Sequence, residues 1–190
     1  MRDILVEADW EVEIAPAAPV IDAHWPGFVD LRQTPEFAQQ LPEMTSLRGL
    51  DDALVRLNGA QSPVWTAKCD VWPLSAGEFD ADEMGAPSES AALGEGCYID
   101  LLPTNEQQWS VPATAISWCK DICGLLRAVP LSSCRVDLII RSAAISPNHM
   151  NIGITAYLTS CGPTVEDANR VLQAALSRFV DALCGRSTIE

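Results

Sequence analysis

Basic residues are scarce in this chain. Its 190 residues include only two lysines, Lys68 and Lys120, and ten scattered arginines against 26 acids, for a formal net charge of −14. Binding to nucleic acid or to an anionic membrane surface needs a basic stripe that displaces counterions. Neither function is expected here. The chain also lacks a run approaching the roughly 18 apolar residues that cross a bilayer, and its opening, MRDILVEADWEVE, turns acidic before any signal-peptide length is reached.

Metal and disulfide spacings are missing as well. Cys69, Cys97, Cys119, Cys123, Cys134, Cys161 and Cys184 contain no C-x-x-C, and the one close pair, Cys119 and Cys123, is a helical i, i+4 step. Reduced, buried thiols in a cytoplasmic protein are the expectation. Catalytic signatures are equally sparse. There is no G-x-S-x-G elbow, and Gly94-Glu95-Gly96 precedes a strand where a phosphate loop needs a helix. Of the two histidines, His24 neighbours Asp22 and His149 follows Pro147, with no nucleophile placed beside either. No cofactor is implied, and a non-enzymatic role is expected.

What is present begins with the placement of the acids. Residues 1–14 hold five acids and one base, and residues 75–96 hold six acids and no base, so these two segments carry −10 of the −14. The hydrophobic fraction, 48%, is ample for one packed domain over residues 1–190.

Residues 4–14 alternate with period two, Val6, Ala8, Trp10, Val12 and Ile14 against Glu7, Asp9, Glu11 and Glu13, which predicts a strand with an acidic outer face. A second strand is predicted over residues 20–32, interrupted at Pro26-Gly27. Thr34-Pro35 starts a short helix that Pro42 stops, with the Thr34 hydroxyl as cap. A helix over 46–58, strands over 64–73 and 97–102, and a helix over 112–128 follow. Two further strands, 135–145 and 151–161, meet at a turn holding Pro147-Asn148. Thr164 caps a last helix that ends at Gly185. Residues 75–96 read as a long acidic loop, a candidate lid.

The order β-β-α-β-β-α-β-β-α predicts an α+β, two-layer sandwich: a mainly antiparallel sheet of about six strands with three main helices on one face. The middle of the run has the ferredoxin-like β-α-β-β-α-β order. This is a likeness of topology, which carries no function with it.

Four predicted strands repeat an aspartate between apolar neighbours, at Asp30, Asp70, Asp100 and Asp137. Strand parity places Asp30 with Phe28 and Arg32, Asp70 with Thr66, Lys68 and Trp72, Asp100 with Tyr98, and Asp137 with Arg135 and Arg141. Thr155, Tyr157 and Thr159 join them. Trp65, Ala67, Cys69, Val71, Ile99, Leu101, Val136 and Leu138 fall on the opposite, helix-covered face. Trp109 is left open between core and surface.

The polar face supports three readings. It is a solvated face whose aspartates pair with Arg32, Lys68, Arg135 and Arg141. Alternatively, Trp72, Tyr157, Asp70, Arg141, Asp137, Tyr98, Phe28 and Arg32 form a binding surface for a small ligand or a basic protein partner, since aromatic residues and arginine dominate interface hot spots. As a third reading, Asp30, Asp70, Asp100 and Asp137 converge on Mg²⁺ or Mn²⁺ and support metal-dependent hydrolysis.

Overall fold

The structure of the protein, a computed structural model, describes residues 6–10, 29–87, 91–129, 131–146 and 149–185; for 6–10, 144–146 and 149–150 only the backbone course is described. The fold is α+β. Strands β1 (Val6–Trp10), β2 (Val64–Ser75), β3 (Leu93–Pro103), β4 (Cys134–Ser146) and β5 (His149–Gly162) form one sheet in the order β1-β4-β5-β3-β2. The pairs β2–β3, β3–β5 and β4–β5 are antiparallel, and β1 adds in parallel at the β4 edge. Helices α1 (Leu50–Leu57), α2 (Pro112–Arg127) and α3 (Val165–Cys184) complete the second layer.

The expected six strands are five among the described residues. The second predicted strand does not form where it is described: residues 31–33 make a turn and 29–30 have no regular structure. Residues 20–28, with Phe28, His24 and Trp25, lie outside the described residues. The ferredoxin-like order, which starts from that strand, is not seen among the described residues. In the sheet, β5 lies between β4 and β3, antiparallel to both.

The helices form where apolar residues recur at helical spacing. α3 turns Ala168, Leu172, Ala175, Leu176, Phe179, Val180 and Leu183 inward, and its first turn is capped by Thr164, whose Oγ1 accepts from the Asp167 amide at 3.1 Å. Val165, assigned to the same stripe by spacing, is exposed. α2 buries Trp118, Cys119, Ile122, Cys123 and Leu126, and Trp109 packs edge-on against Trp118 at 4.9 Å, wholly buried. α1 is shorter than its periodic pattern. It starts after Gly49, which sits at φ +83°, and two short 3-10 helices, Pro35–Gln40 and Pro42–Thr45, precede it. The Thr34 hydroxyl makes no cap bond there.

The three helices cover one sheet face. Cys97, Ile99 and Leu101 of β3, Val136, Leu138 and Ile140 of β4, and Ile154, Ala156 and Leu158 of β5 are buried beneath them in one core. The seven cysteines are free thiols. Burial pushes the thiols of Cys69, Cys119 and Cys134 up to about 12, above an ordinary value near 9. They behave as small core hydrophobes. Among the described residues no helix is long and apolar enough to cross a membrane.

Candidate functional site

The second face of the sheet carries the polar residues, and among the described residues no helix lies over it. Cross-strand register sets its rows. Asp70 of β2 stands opposite Tyr98 of β3, Tyr98 opposite Tyr157 of β5, and Tyr157 opposite Asp137 of β4. The next row runs Lys68, Asp100, Thr155, Ile139, and the row on the other side runs Trp72, Gly96, Thr159, Arg135. At the β4 edge, β1 brings Glu7 and Asp9 into register with Asp137 and Ile139.

Three aromatic rings meet at the centre. Ring centroids are 5.9 Å apart for Tyr98–Tyr157, 6.1 Å for Trp72–Tyr98 and 6.5 Å for Trp72–Tyr157, tilted or edge-on, within the attractive range for aromatic pairs. Gly96 is the reason Trp72 reaches this cluster. A Cβ at Gly96 would stand 2.5 Å from Cε2 of the indole, so the ring lies down on bare backbone and crosses β3 toward β5. Each ring is half-buried, leaving part of its surface to solvent. Burial, and then the neighbouring carboxylates of Asp100 and Asp70, push the Tyr98 hydroxyl up to about 12.

Gly94 repeats the device one row further along, where a Cβ would be 2.8 Å from the Phe79 ring. Phe79 belongs to the segment read from sequence as a long loop over 75–96. Strands claim both ends of that segment, since β2 runs to Ser75 and β3 starts at Leu93. Glu95 therefore sits on the helix side of β3, buried, with its carboxyl pushed up by that burial. Residues 76–87 fold back over one end of the open face. There Met84, Ala86 and Cys161 are buried in a second, smaller apolar cluster flanked by Phe79, Ala81 and Ala91. Ser133, at φ +64°, fastens the segment by donating to the Met84 carbonyl and accepting from the Cys161 amide, both at 2.9 Å. Glu83 reaches down to Arg135. The segment is thus a docked wall bearing Glu78, Asp80, Asp82 and Glu83.

At the opposite end a β-bulge changes the parity of β2. Thr66 pairs with Leu101 and Lys68 with Asp100, so Ala67 is an extra residue. Ahead of the bulge the two sides of β2 are exchanged. Thr66 faces the helices and bonds Asn58 at the end of α1, its amide donating to Oδ1 at 3.0 Å. Trp65, expected in the core, is half-buried on the open side. The Arg32 guanidinium lies 4.4 Å over its ring and grips Asp30 with two bonds of 2.8 and 2.6 Å. That grip holds the Asp30 carboxyl below its ordinary range. Asp30 and Arg32 are therefore a turn packed on Trp65, remote from the strand positions assigned to them. Beyond Trp65 the face closes with buried Leu102 and Ala143.

The site residues named from sequence accordingly divide. Trp72, Tyr98, Tyr157, Asp70 and Asp137 share one patch; Arg141, opposite Gly153, lies two residues past Ile139 along β4. The aspartates do not converge. Asp137 pairs with Arg135 at 2.8 Å, Asp100 is buried and accepts from the Thr155 hydroxyl, and Asp70 is exposed and accepts from the Val71 amide. Among the described residues no group of three or more His, Cys, Asp or Glu is placed to hold a metal ion. Phe79 and Trp65 were missed as neighbours of the patch. A signal for the first was available, since two glycines inside a strand, Gly94 and Gly96, mark a place where another group lies on the backbone.

Strand β2 ends the sheet, yet it is closed to a further strand. The Val64 amide donates to Ser62 Oγ, Thr66 to Asn58, Val71 to Asp70 and Ser75 to Glu78, and position 73 is a proline with no amide hydrogen. Local side chains thus satisfy donors that an added strand would need. A cleft of about 360 Å³ does open beside the bulge, lined by Leu31, Leu41, Glu43, Cys69, Asp70 and Tyr98 among others. It shares Asp70 and Tyr98 with the aromatic patch.

The chain matches no protein-family model, no curated protein and no solved structure. The geometry is the sole guide to what the site does.

Proposed function

We propose that this protein is a cytoplasmic binding or protein-interaction domain, without catalysis of its own, that uses the open sheet face around Trp72, Tyr98 and Tyr157. The observation that supports this reading is the three-ring cluster itself. Aromatic side chains are placed in mutual contact on an uncovered face, between a docked wall at one end and a cleft at the β2 edge. A solvated face has no need of such a cluster, whereas binding surfaces concentrate energy in rigid aromatic residues. The surrounding carboxylates would contribute orientation and encounter rate more than affinity.

Chemical-shift mapping tests this. A panel of neutral, acidic and basic short peptides and small aromatic and aliphatic compounds is titrated into the labelled protein. Binders are expected to move resonances of residues 70–72, 96–100 and 155–159, with the Trp72 indole N–H among the largest. Binders that map only to the α2–α3 surface, or a panel without a single face binder at millimolar concentration, would overturn the reading.

A further inference from the structure

Resting on that reading, we infer that the patch takes the ammonium group of a lysine side chain, presented by a basic peptide segment of a partner protein. Two observations carry the inference: the chemistry of the patch and its shape.

The chemistry selects a cation. A positively charged group is attracted to the faces of Trp and Tyr rings, most strongly to Trp. Here an indole and two phenols lie together with their centroids within 6.5 Å of one another, so one ammonium group can contact all three. Gly96 underlies the Trp72 indole, and the ring remains partly exposed to solvent. Carboxylates stand at both ends of the ring row, Asp70 beside Tyr98 and Asp137 beside Tyr157, with Asp100 in the next row.

The three bases of this face, Lys68, Arg135 and Arg141, offset its aspartates, and the acidic excess comes from the wall. Arg135 is held between Asp137 and Glu83, and Lys68 is in register with Asp100. Arg141 is two residues beyond Ile139 on the side away from Arg135. The docked wall then adds Glu78, Asp80 and Asp82 with no base.

The shape selects a side chain on a peptide over a free small cation. The rings form an open floor, so a free ammonium ion would remain largely hydrated. A lysine brings a four-carbon stem that lies along the rings and a backbone that meets the acidic wall. Side chains hold the Thr66, Val71 and Ser75 amides at the β2 edge, which favours approach across the face through side chains over strand addition there.

The test uses the whole chain and three eight-residue peptides of matched sequence, carrying at the centre lysine, Nε-acetyl-lysine or norleucine in an otherwise basic context. The lysine peptide is expected to shift the Trp72 indole N–H and to bind about tenfold more tightly than the acetylated or norleucine peptide. Trp72→Ala is expected to weaken it about fivefold, while Trp72→Phe, which keeps a ring and controls for folding, stays within about twofold. Asp70→Asn is expected to weaken binding about twofold, with the difference shrinking at high salt. Equal binding of lysine and norleucine peptides at the face would overturn the ammonium assignment and leave the face a binding site. Unchanged lysine-peptide affinity in Trp72→Ala would do the same by placing the contact elsewhere. If no peptide perturbs the face while other compounds of the panel do, the peptide assignment alone fails; if nothing perturbs it, the binding face fails too.

Discussion

The two faces of this sheet are made from the same strands and obey opposite rules. Beneath the helices, Ile99, Leu101, Leu138, Ile140, Ala156 and Leu158 are sealed from water and interchangeable in chemistry, differing in shape alone. One residue away along each strand, Tyr98, Asp100, Asp137, Thr155 and Tyr157 are half-buried or hydrogen-bonded and differ in chemistry from position to position. The apolar face is where removal from water stabilises the fold. On the polar face, glycines at 94 and 96 and an ion-paired wall organise aromatic rings that burial alone would have turned inward. The lesson of the difference is that energy and specificity are separated by a single pleat.

Truncating a side chain on each face separates the two. Phe179→Ala, in the C-terminal half of α3 and wholly buried, is expected to cost about 3–5 kcal/mol in urea unfolding, against under about 2 kcal/mol for Trp72→Ala. Equal costs would mean the open face is a second core. Gly96→Val is expected to cost about 1–3 kcal/mol, because the added side chain must displace the Trp72 indole. Trp72 fluorescence should change with it.

Titration sharpens the contrast further. Cys69, Cys119 and Cys134 stand on the helix side with thiols pushed up to about 12 from about 9. The unfolded chain releases these protons first, so their contribution to stability is complete below pH 9 and is lost as pH rises toward 12. The slope is on the order of 1 kcal/mol per pH unit for each thiol. Unfolding at pH 7, 9 and 10.5 measures it, and a flat profile would contradict the burial. Native thiols should also resist a disulfide reagent at pH 8 until the chain is unfolded.

Smaller effects belong to the surface. Gly124 lies within α2 with open space at its Cβ position, and Gly124→Ala is expected to stabilise by about 0.5–1 kcal/mol. The Glu83–Arg135 pair that ties the wall to the face is partly exposed, and a double-mutant cycle on it is expected to return under about 1 kcal/mol. A larger coupling would make the wall a structural part of the open face.

Much of the architecture was legible in the residues. β4, β5, α2 and α3 lie within a residue or two of their expected spans, because a strand or helix with one buried side advertises it by period. The pairing of Tyr98, Tyr157 and Asp137 on one face followed from the same parity. Trp65 did not, because the bulge at Ala67 is invisible to an alternation that simply continues through it. Phe79 did not either: Gly94 and Gly96 mark where a group lies on the backbone, but nothing in the polar segment itself says that Phe79 and Met84 will be what docks. Asp30 and Arg32 were drawn to a strand by an Asp between apolar neighbours, and the fork between them together with Trp65 holds a turn instead.

Spacing along the chain was enough to say which side of each unbroken strand is apolar, where α2 and α3 begin and end, and that the thiols are unpaired and mostly buried. These are properties of near neighbours along the chain, and spacing encodes them. The tertiary structure alone decided that β5 lies between β4 and β3, that the bulge sends Trp65 across the sheet, that the acidic segment becomes a wall, and that three rings meet over Gly96. Each of those depends on contacts between residues far apart in sequence, whose energies are settled only when the whole sheet has paired.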